Sequence, residues 1–482
     1  MLFNSFEFLV FLPIVFLLYW FVFKGLKSQN ILVIISSYIF YGWWSWNFLV
    51  LIFITTLLSY FSGVFIEKYR NKGKLICGAN IAVNIGILCY YKYFNFFAEN
   101  LQAIFSQIGY QFDWVTLDII LPVGISFYTF QALSYTIDVY RKDTKATRDF
   151  IAFTSFISFF PQLVAGPIER STNLLPQFLK PRKFDYTNAV IGLRQILWGF
   201  FKKLVVADNC AQLVNAIFDN SQDCNASLLL LGALFFAFQV YGDFSGYSDI
   251  AIGTARLFGI SLMKNFNLPY FSRDVAEFWR RWHISLNKWF IDYVYIPLGG
   301  NRHGKFILVR NILIVFFLCG LWHGARWTYI LFGVYNGILI VLHTLLNQNP
   351  KKQLPIVPNR FLPSLKEAGQ IIVTFFILLI GMIIFRANDI THAIDYICSL
   401  FNQSIIDLPN IYTLGLSQNK VIYTLLFILL LQLVDWIQRK REFGLEISNI
   451  KYRSVRWSIY VSLILLFSVF AGEQQEFIYF QF

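Results

Sequence analysis

One histidine, His323, interrupts a long apolar stretch and has an arginine close to it in the sequence. Residues of these two types could take part in a reaction. The segment Cys319-Gly-Leu-Trp-His-Gly-Ala-Arg-Trp places His323 three residues before Arg326. Ionisable side chains inside a membrane-type segment are costly and usually face a cavity. Gly320 and Gly324 would let another backbone or a ligand approach the imidazole. His323 is therefore a candidate functional residue, and a structural hydrogen bond to a neighbouring helix is the alternative.

A second histidine lies in the unusual region 259–306, which we interpret as an amphipathic or re-entrant segment on the cytoplasmic side. His283 sits there among aromatic and basic residues at helical spacing, namely Trp279, Trp282, Trp289, Phe290, Arg280, Arg281 and Lys288. Such a pattern is typical of a helix lying at a membrane interface. A plain interfacial anchor with snorkelling arginines fits the periodicity equally well. The imidazole favours a functional role, because an anchor does not need one.

Two carboxylates form a third intrusion of polar groups. Asp243 and Asp249 stand in the apolar stretch Gln239-Val-Tyr-Gly-Asp-Phe-Ser-Gly-Tyr-Ser-Asp. They could orient a histidine, bind a cation or relay protons, and their spacing does not choose among these roles. A weaker apolar piece at 150–165 ends in Pro161, followed by Gly166-Pro167, which predicts a kinked, re-entrant segment.

The sequence does not predict a metal site or a permanently bound cofactor. The six cysteines form no CxxC pair, and neither HExxH, GxSxG nor a glycine-rich phosphate loop is present. His343 and His392 are interpreted as incidental, and His303 lies in a basic turn that could touch a phosphate.

Composition determines the class of protein in which these residues must work. Of the 482 residues, 57% are hydrophobic and only 14% are charged, which excludes a water-soluble globule. The net charge of +13 does not indicate nucleic-acid binding, because the basic residues cluster between apolar runs, as in cytoplasmic loops. The expected environment is the lipid bilayer.

The apolar runs predict an all-α, polytopic integral membrane protein with about eleven or twelve transmembrane helices. The predicted spans are 6–23, 30–46, 48–66, 76–94, 119–140, 187–207, 228–258, 307–321, 327–346, 369–385, 419–437 and 457–472. No internal repeat or linker divides the chain, so residues 1–482 are predicted to form one membrane domain. If the spans alternate from an outside N-terminus, most of the 40 basic residues, including Lys351 and Lys352, lie inside. Both termini are therefore predicted outside the cell membrane.

Several of these motifs together resemble the membrane-bound O-acyltransferase (MBOAT) family, and in particular its bacterial alginate O-acetyltransferase branch. The resemblance rests on Phe278-Trp-Arg-Arg-Trp-His-Ile-Ser-Leu, Tyr295-Ile-Pro-Leu-Gly-Gly-Asn-Arg, Leu321-Trp-His-Gly, Leu163-Val-Ala-Gly-Pro-Ile and Tyr241-Gly-Asp-Phe-Ser-Gly-Tyr-Ser-Asp. The opening Leu2-Phe-Asn-Ser and the closing Phe477-Ile-Tyr-Phe-Gln-Phe are similar to the alginate branch. The match runs in order along essentially the whole chain.

The resemblance implies a helical MBOAT fold in which His323 is the family's invariant histidine within the membrane. His283 corresponds to a second position, where many eukaryotic members carry Asn. The implied reaction moves an acyl group from a cytoplasmic thioester, here acetyl-CoA, to a hydroxyl on or beyond the membrane. A separate periplasmic SGNH-type acetyltransferase with a Ser-His-Asp site is the expected partner, and an alginate-like polysaccharide is the acceptor, reached directly or through that partner.

The residue types agree with this chemistry. An imidazole titrating near neutrality suits a general base for a hydroxyl, which is the role expected of His323. Arg326 would stabilise oxyanion charge, and His283 would handle or orient the thioester. Arg280, Arg281, Arg302 and Lys305 could meet the phosphates of coenzyme A, although lipid phosphates are an equal match.

Two other functions compete with O-acetylation. D-alanyl transfer to teichoic acid would use a carrier-protein thioester as donor. A transporter or flippase would use His323, Asp243 and Asp249 as a proton relay, but the inverted repeats expected of one are not apparent.

Overall fold

The computed structural model describes residues 1–110, 117, 119–164, 166–346 and 360–478. Within these ranges the protein is all-helical, which confirms the predicted class. The α-helices are α1 Phe6–Leu17, α2 Leu26–Gly42, α3 Leu49–Lys68, α4 Gly73–Gln107, α5 Ile125–Arg141, α6 Phe150–Ser158, α7 Phe160–Leu163, α8 Ser171–Phe178, α9 Tyr186–Phe200, α10 Asp208–Asp219, α11 Ala226–Leu257, α12 Val275–Arg281, α13 Ile284–Phe290, α14 Gly304–His323, α15 Trp327–Leu346, α16 Leu365–Arg386, α17 Ile390–Ser399, α18 Gln418–Ile437 and α19 Arg453–Phe470. Turns of π-helix extend α1, α9 and α13 over Leu18–Val22, Phe201–Ala207 and Ile291–Tyr295.

Fewer helices have the length and apolar composition of a membrane span than the sequence predicts. Among the described residues there are eight, α3, α4, α11, α14, α15, α16, α18 and α19, together with the shorter apolar helix Phe6–Val22. Helices α2 and α5 have 17 residues each, fewer than the roughly 20 that cross a hydrocarbon core. The predicted span 187–207 contains Lys202 and Lys203, and the predicted inside position of Lys351 and Lys352 lies outside the described residues.

The described chain divides into two compact units. The first comprises Met1–Leu193 with Ala251–Met263, and the second comprises Arg194–Ile250 with Lys264–Phe482. The boundaries fall inside α9 and α11. The expectation of a single membrane domain over 1–482 stays a prediction.

In the first unit, the kinked segment predicted at 150–165 is two short helices, α6 and α7, which meet at the buried Phe159. The motif that follows contains Glu169, whose side chain is completely buried. Its carboxylate accepts hydrogen bonds from the backbone N–H of Met263 at 2.5 Å and from the side chain of Asn173 at 2.6 Å. Burial, opposed by these hydrogen bonds, raises the pKa of Glu169 to about 7.

In the second unit, α14 and α15 pack so closely that glycine is required at the contact. A methyl group on Gly320 would collide with the carbonyl oxygen of Tyr329, and one on Gly333 would collide with that of Phe316. Helix α14 ends at His323, so the histidine breaks the apolar run as the sequence indicates. The close contact fixes the backbone just before His323 against α15.

Candidate active site

His323 is the last residue of α14, and it lies in an aromatic environment with a side chain that is almost fully buried. Its ring centroid is 5.2 Å from that of Phe385 and 6.0 Å from that of Phe332, both approached edge to face. It is 5.1 Å from the ring of Trp322. Aromatic packing of this kind restricts the rotation of the imidazole.

His283 lies in the link between α12 and α13 and is also buried, with 1% of its surface exposed. Its backbone adopts a left-handed conformation, with φ 45° and ψ 52°, which is uncommon for a residue other than glycine. The ring packs edge to face on Phe244 at 4.6 Å and on Trp322 at 5.5 Å. Strained backbone at a buried polar residue is a frequent feature of functional sites.

The two predicted histidines therefore meet at one residue, Trp322, which contacts both imidazoles. All three side chains belong to the second unit. Burial, with a further contribution from the nearby His323, lowers the pKa of His283 well below its usual range. His283 is thus neutral at physiological pH, and a neutral imidazole can accept a proton or a hydrogen bond.

The region around His283 forms two short helices, α12 and α13, and not the one amphipathic helix that the residue spacing predicts. The side chain of Asp274 caps α12 by accepting from the N–H of Glu277 at 2.7 Å. Glu277 in turn pairs with Arg273 at 2.9 Å and with Arg281 at 2.7 Å. The aromatic residues Trp279, Trp282, Trp289 and Phe290 are buried, whereas Arg280 and Lys288 are exposed.

The link between α12 and α13, which contains His283, is hydrogen-bonded to the backbone of residues 265–267. The sequence alone did not identify these residues as part of the site. The N–H of Ile284 donates to the carbonyl of Asn265 at 2.9 Å, and the N–H of Asn267 donates to the carbonyl of Arg281 at 2.9 Å. The side chain of Asn265 lies 3.2 Å from Nδ1 of His283. An asparagine in a polar loop gives no signal in a single sequence, because its partner is distant along the chain.

The predicted donor-binding arginines are distributed unequally. Arg280 and Arg302 are exposed, whereas Arg281 is half-buried and held by Glu277. Arg326 is exposed and hydrogen-bonds the side chain of Tyr329. The structure thus leaves Arg280, Arg302 and Arg326 accessible to an anionic ligand.

The predicted aspartates form buried ion pairs with two lysines that the sequence analysis passed over. Asp249 pairs with Lys202 at 2.5 Å, and Asp243 pairs with Lys203 at 2.8 Å. Both lysines lie in the π-helical turn Phe201–Ala207, and π-turns often occur at functional sites. Two adjacent lysines in a predicted span were themselves a signal of buried partners. Within the described ranges, no three His, Cys, Asp or Glu side chains come together as a metal site.

Ser221 and His392 form a serine–histidine pair, but its hydrogen bonds are not arranged to activate the serine as a nucleophile. Ser221 Oγ is 3.1 Å from Nε2 of His392, and the backbone N–H of Asn388 donates to Nδ1 of the same ring at 3.3 Å. Because Nδ1 accepts, the hydrogen of the neutral ring is on Nε2 and points at the serine. This imidazole therefore cannot take the serine's proton.

The comparisons with known proteins identify the family of the chain. The MBOAT, membrane-bound O-acyltransferase family, model matches residues 145–380, a range that includes both buried histidines. The chain is 36% identical to a probable alginate O-acetylase AlgI of Pseudomonas putida, covering 100% of both chains. It is 29% identical to a peptidoglycan O-acetyltransferase of Helicobacter pylori over 100% of this chain and 98% of that protein. A teichoic acid D-alanyltransferase of Bacillus subtilis is 29% identical over 56% of this chain and 70% of its own length.

The chain is thus similar over its full length to an O-acetylase, and it has two buried imidazoles packed on one tryptophan. The helices that carry His323 or contact the two histidines, α11, α14, α15 and α16, are long and apolar enough to cross a bilayer. The chain belongs to the membrane-bound O-acyltransferase family, and it is a multi-pass membrane enzyme that transfers acyl groups to hydroxyl oxygens.

Proposed function

We propose that this enzyme takes an acetyl group from acetyl-CoA at the cytoplasmic face of the bacterial inner membrane and passes it on for O-acetylation of an exported, alginate-like polysaccharide. The observation that carries the proposal is the packing of both His283 and His323 against one residue, Trp322. Two relatives with O-acetyl chemistry in their names, the alginate O-acetylase and the peptidoglycan O-acetyltransferase, match the whole chain and support an acetyl donor.

In the proposed reaction, His323 is the general base. It takes the proton of an acceptor hydroxyl while the hydroxyl oxygen attacks the thioester carbonyl, and Arg326 stabilises the developing oxyanion. The C–S bond then breaks, and the thiolate leaves as coenzyme A after it takes up the proton. The aromatic rings around His323 keep water away from the thioester, which would otherwise be hydrolysed.

The donor enters, in this proposal, from the side of α12 and α13. The exposed cations Arg280, Arg302 and Lys305 would contact the phosphates of coenzyme A. His283 would orient the thioester end. Arg281 would act indirectly, because its guanidinium is engaged with the buried carboxylate of Glu277.

The acceptor side requires a further protein in this proposal. An SGNH-type acetyltransferase in the periplasm, with a Ser-His-Asp site, would carry the acetyl group to the polysaccharide. Both termini and the α17 region would lie on that outer side, as the distribution of basic residues predicts.

D-alanyl transfer to teichoic acid is the second candidate, favoured by the similarity to the B. subtilis D-alanyltransferase. That match covers 56% of this chain, whereas the O-acetylase relatives match all of it. A transporter is not favoured, because the chain belongs to an acyltransferase family.

The test compares cells with and without this protein. Surface polysaccharide from cells lacking it should lose ester-linked acetate, and expression of the wild-type chain, but not of His323→Asn, should restore it. Ester-linked D-alanine is measured in the same samples. Unchanged acetate together with lost D-alanine would replace the proposal with the second candidate.

A further inference from the structure

The side chain of Asn265 contacts three partners at the His283 site, and together they fix its orientation. Its Oδ1 lies 3.2 Å from the backbone N of Ser285, 2.9 Å from Ser285 Oγ and 3.2 Å from His283 Nδ1. Its Nδ2 donates to Ser248 Oγ at 3.4 Å. Asn265, Ser285 and His283 are each 1% exposed.

The backbone N–H of Ser285 decides which end of the amide faces the histidine. A backbone N–H can only donate, so the atom of Asn265 opposite it must be the carbonyl oxygen and not the NH₂ group. The same oxygen faces Nδ1 of His283. If Nδ1 lacked a hydrogen, two lone pairs would point at each other in a buried site, which is unfavourable. Nδ1 of His283 therefore carries the hydrogen.

We infer that Asn265 is a positioning residue that holds His283 in the Nδ1–H tautomer, so that its Nε2 carries the lone pair that acts on the substrate. The inference rests on the proposed function for the role of His283 in acyl transfer, although the tautomer itself follows from the hydrogen bonds. In this form Nε2 accepts and does not donate. The substrate group that His283 contacts is therefore a hydrogen-bond donor, such as a hydroxyl or an amide N–H, and not a carbonyl oxygen.

Two further features indicate that the side-chain amide of Asn265 is suited to orienting the ring of His283. The backbone carbonyl of Asn265 also holds Ile284, so one residue fixes both the main chain and the ring of His283. Among the residues that the structure describes, His323 on α14 is the titratable side chain that lowers the pKa of His283, whereas its ring contacts Phe244 on α11 and Trp322 do not ionise near neutral pH. A neutral carboxamide orients the ring without adding a charge, whereas a carboxylate at this position would favour the imidazolium.

The tautomer can be measured directly, because the chain has only five histidines. The full protein is labelled with ¹⁵N-histidine in lipid nanodiscs, and the His283 signals are assigned from their loss in His283→Asn. We expect a protonated Nδ1 and an unprotonated Nε2 for His283. A protonated Nε2 with an unprotonated Nδ1 would overturn the inference.

Variants separate positioning from a general loss of structure. Asn265→Leu should abolish the tautomer preference and lower acyl transfer about 10–100-fold, the usual effect of losing an orienting partner of a functional histidine. Asn265→Asp keeps the acceptor and should keep the tautomer, while it shifts the acidic limb of the pH–rate profile to higher pH. Asn336→Leu is the matched control, because Asn336 is equally buried but accepts from Trp279. It should leave the His283 signals unchanged.

A double-mutant comparison distinguishes this inference from the proposed function. If Asn265 acts through His283, Asn265→Leu should have no further effect on acyl transfer in a His283→Ala background, which has no polar side chain to position. An equal loss in both backgrounds would overturn the positioning role. If the Nδ1–H tautomer is observed but His283→Ala is fully active, the proposed role of His283 fails and the tautomer assignment stands.

Discussion

Lys203 Nζ lies 2.8 Å from Asp243 Oδ1, and the side chains of both residues are at most 3% exposed. The same ammonium is 2.7 Å from Asp208 Oδ1, so two buried carboxylates share one cation. Asp243 also accepts from the backbone N–H of Ile478 at 2.7 Å. An aspartate that the sequence presents as a candidate to orient a histidine, bind a cation or relay protons is thus part of an internal ion-pair cluster.

This cluster predicts unequal effects of removing its cation or one of its anions. Lys203→Met leaves two buried carboxylates without their cation and should destabilise the protein by about 3–5 kcal/mol. Asp243→Asn leaves the Lys203–Asp208 pair and still accepts from Ile478, so its melting midpoint in detergent should fall much less. Similar losses for both variants would contradict this account of the cluster.

Replacing His323 tests the general base. His323→Asn keeps a polar side chain but cannot accept a proton near neutral pH, so acetyl transfer should fall about 10²–10⁴-fold. The melting midpoint should stay close to that of the wild type. His392→Asn is the control, because its imidazole already presents a hydrogen to Ser221. Retained acetyl transfer in His323→Asn would refute the assignment.

Substitutions of the neighbouring residues Arg280 and Arg281 should have different effects, the first on the KM for the acetyl donor and the second on stability. Arg280→Ala removes an exposed cation, so the KM for the acetyl donor should rise several-fold while kcat and stability stay near normal. Arg281→Ala removes a partner of the buried Glu277 and should lower stability. Measurements in membrane vesicles at varied acetyl-CoA concentration, with melting curves, separate the two. An unchanged KM in Arg280→Ala would assign this residue to lipid phosphates.

The chain carries its own reporter of topology. Cys398 is exposed in α17, which is predicted outside, whereas Arg302 lies in a region predicted inside. A membrane-impermeant maleimide should label Cys398 in intact cells, and Cys398→Ser should lose that label. In the Cys398→Ser background, Arg302→Cys should react only after the membrane is opened. Reaction of Arg302→Cys in intact cells would reverse the orientation.

Because its carboxyl group is buried, Glu169 should make the protein less stable as the pH rises. Its pKa is raised on folding from 4.5 to about 7, so the folded state holds the proton more tightly than the unfolded chain. The stabilisation is complete below about pH 4.5 and is lost as the pH rises through about 7, a change of about 3 kcal/mol. Glu169→Gln stays neutral, so its melting midpoint should fall less over this range. Glu67→Gln, a change at an exposed ion pair, is the control.

The sequence predicted the parts of the fold that depend on local composition. Apolar length identified α3, α11 and α16, and the break after His323 followed from charged residues in an apolar run. Hydropathy did not predict the observed lengths of helices such as α2 and α5, because where a helix ends depends on what packs around it.

The sequence identified the site residues whose type is unusual for their surroundings. It did not identify the contacts that those residues make with distant parts of the chain. His283 and His323 were recognisable because imidazoles are unusual in their surroundings. The contact of His283 with Trp322, and its hydrogen bond to Asn265, join residues that are distant along the chain. Asp243 and Asp249 were conspicuous, but their partners Lys203 and Lys202 could be assigned only once the helices were in place.

The left-handed backbone at His283 also restricts which residues evolution can place there. Side chains branched at Cβ are strongly disfavoured at φ 45°, whereas asparagine, aspartate and histidine are the side-chain-bearing residues most often found in this conformation. An exchange between imidazole and carboxamide, the alternation that the family resemblance implies for this position, therefore requires no rebuilding of the loop. In the proposed function, the backbone therefore limits the side chains that can serve at this position to a few, and one substitution is enough to change from one to another.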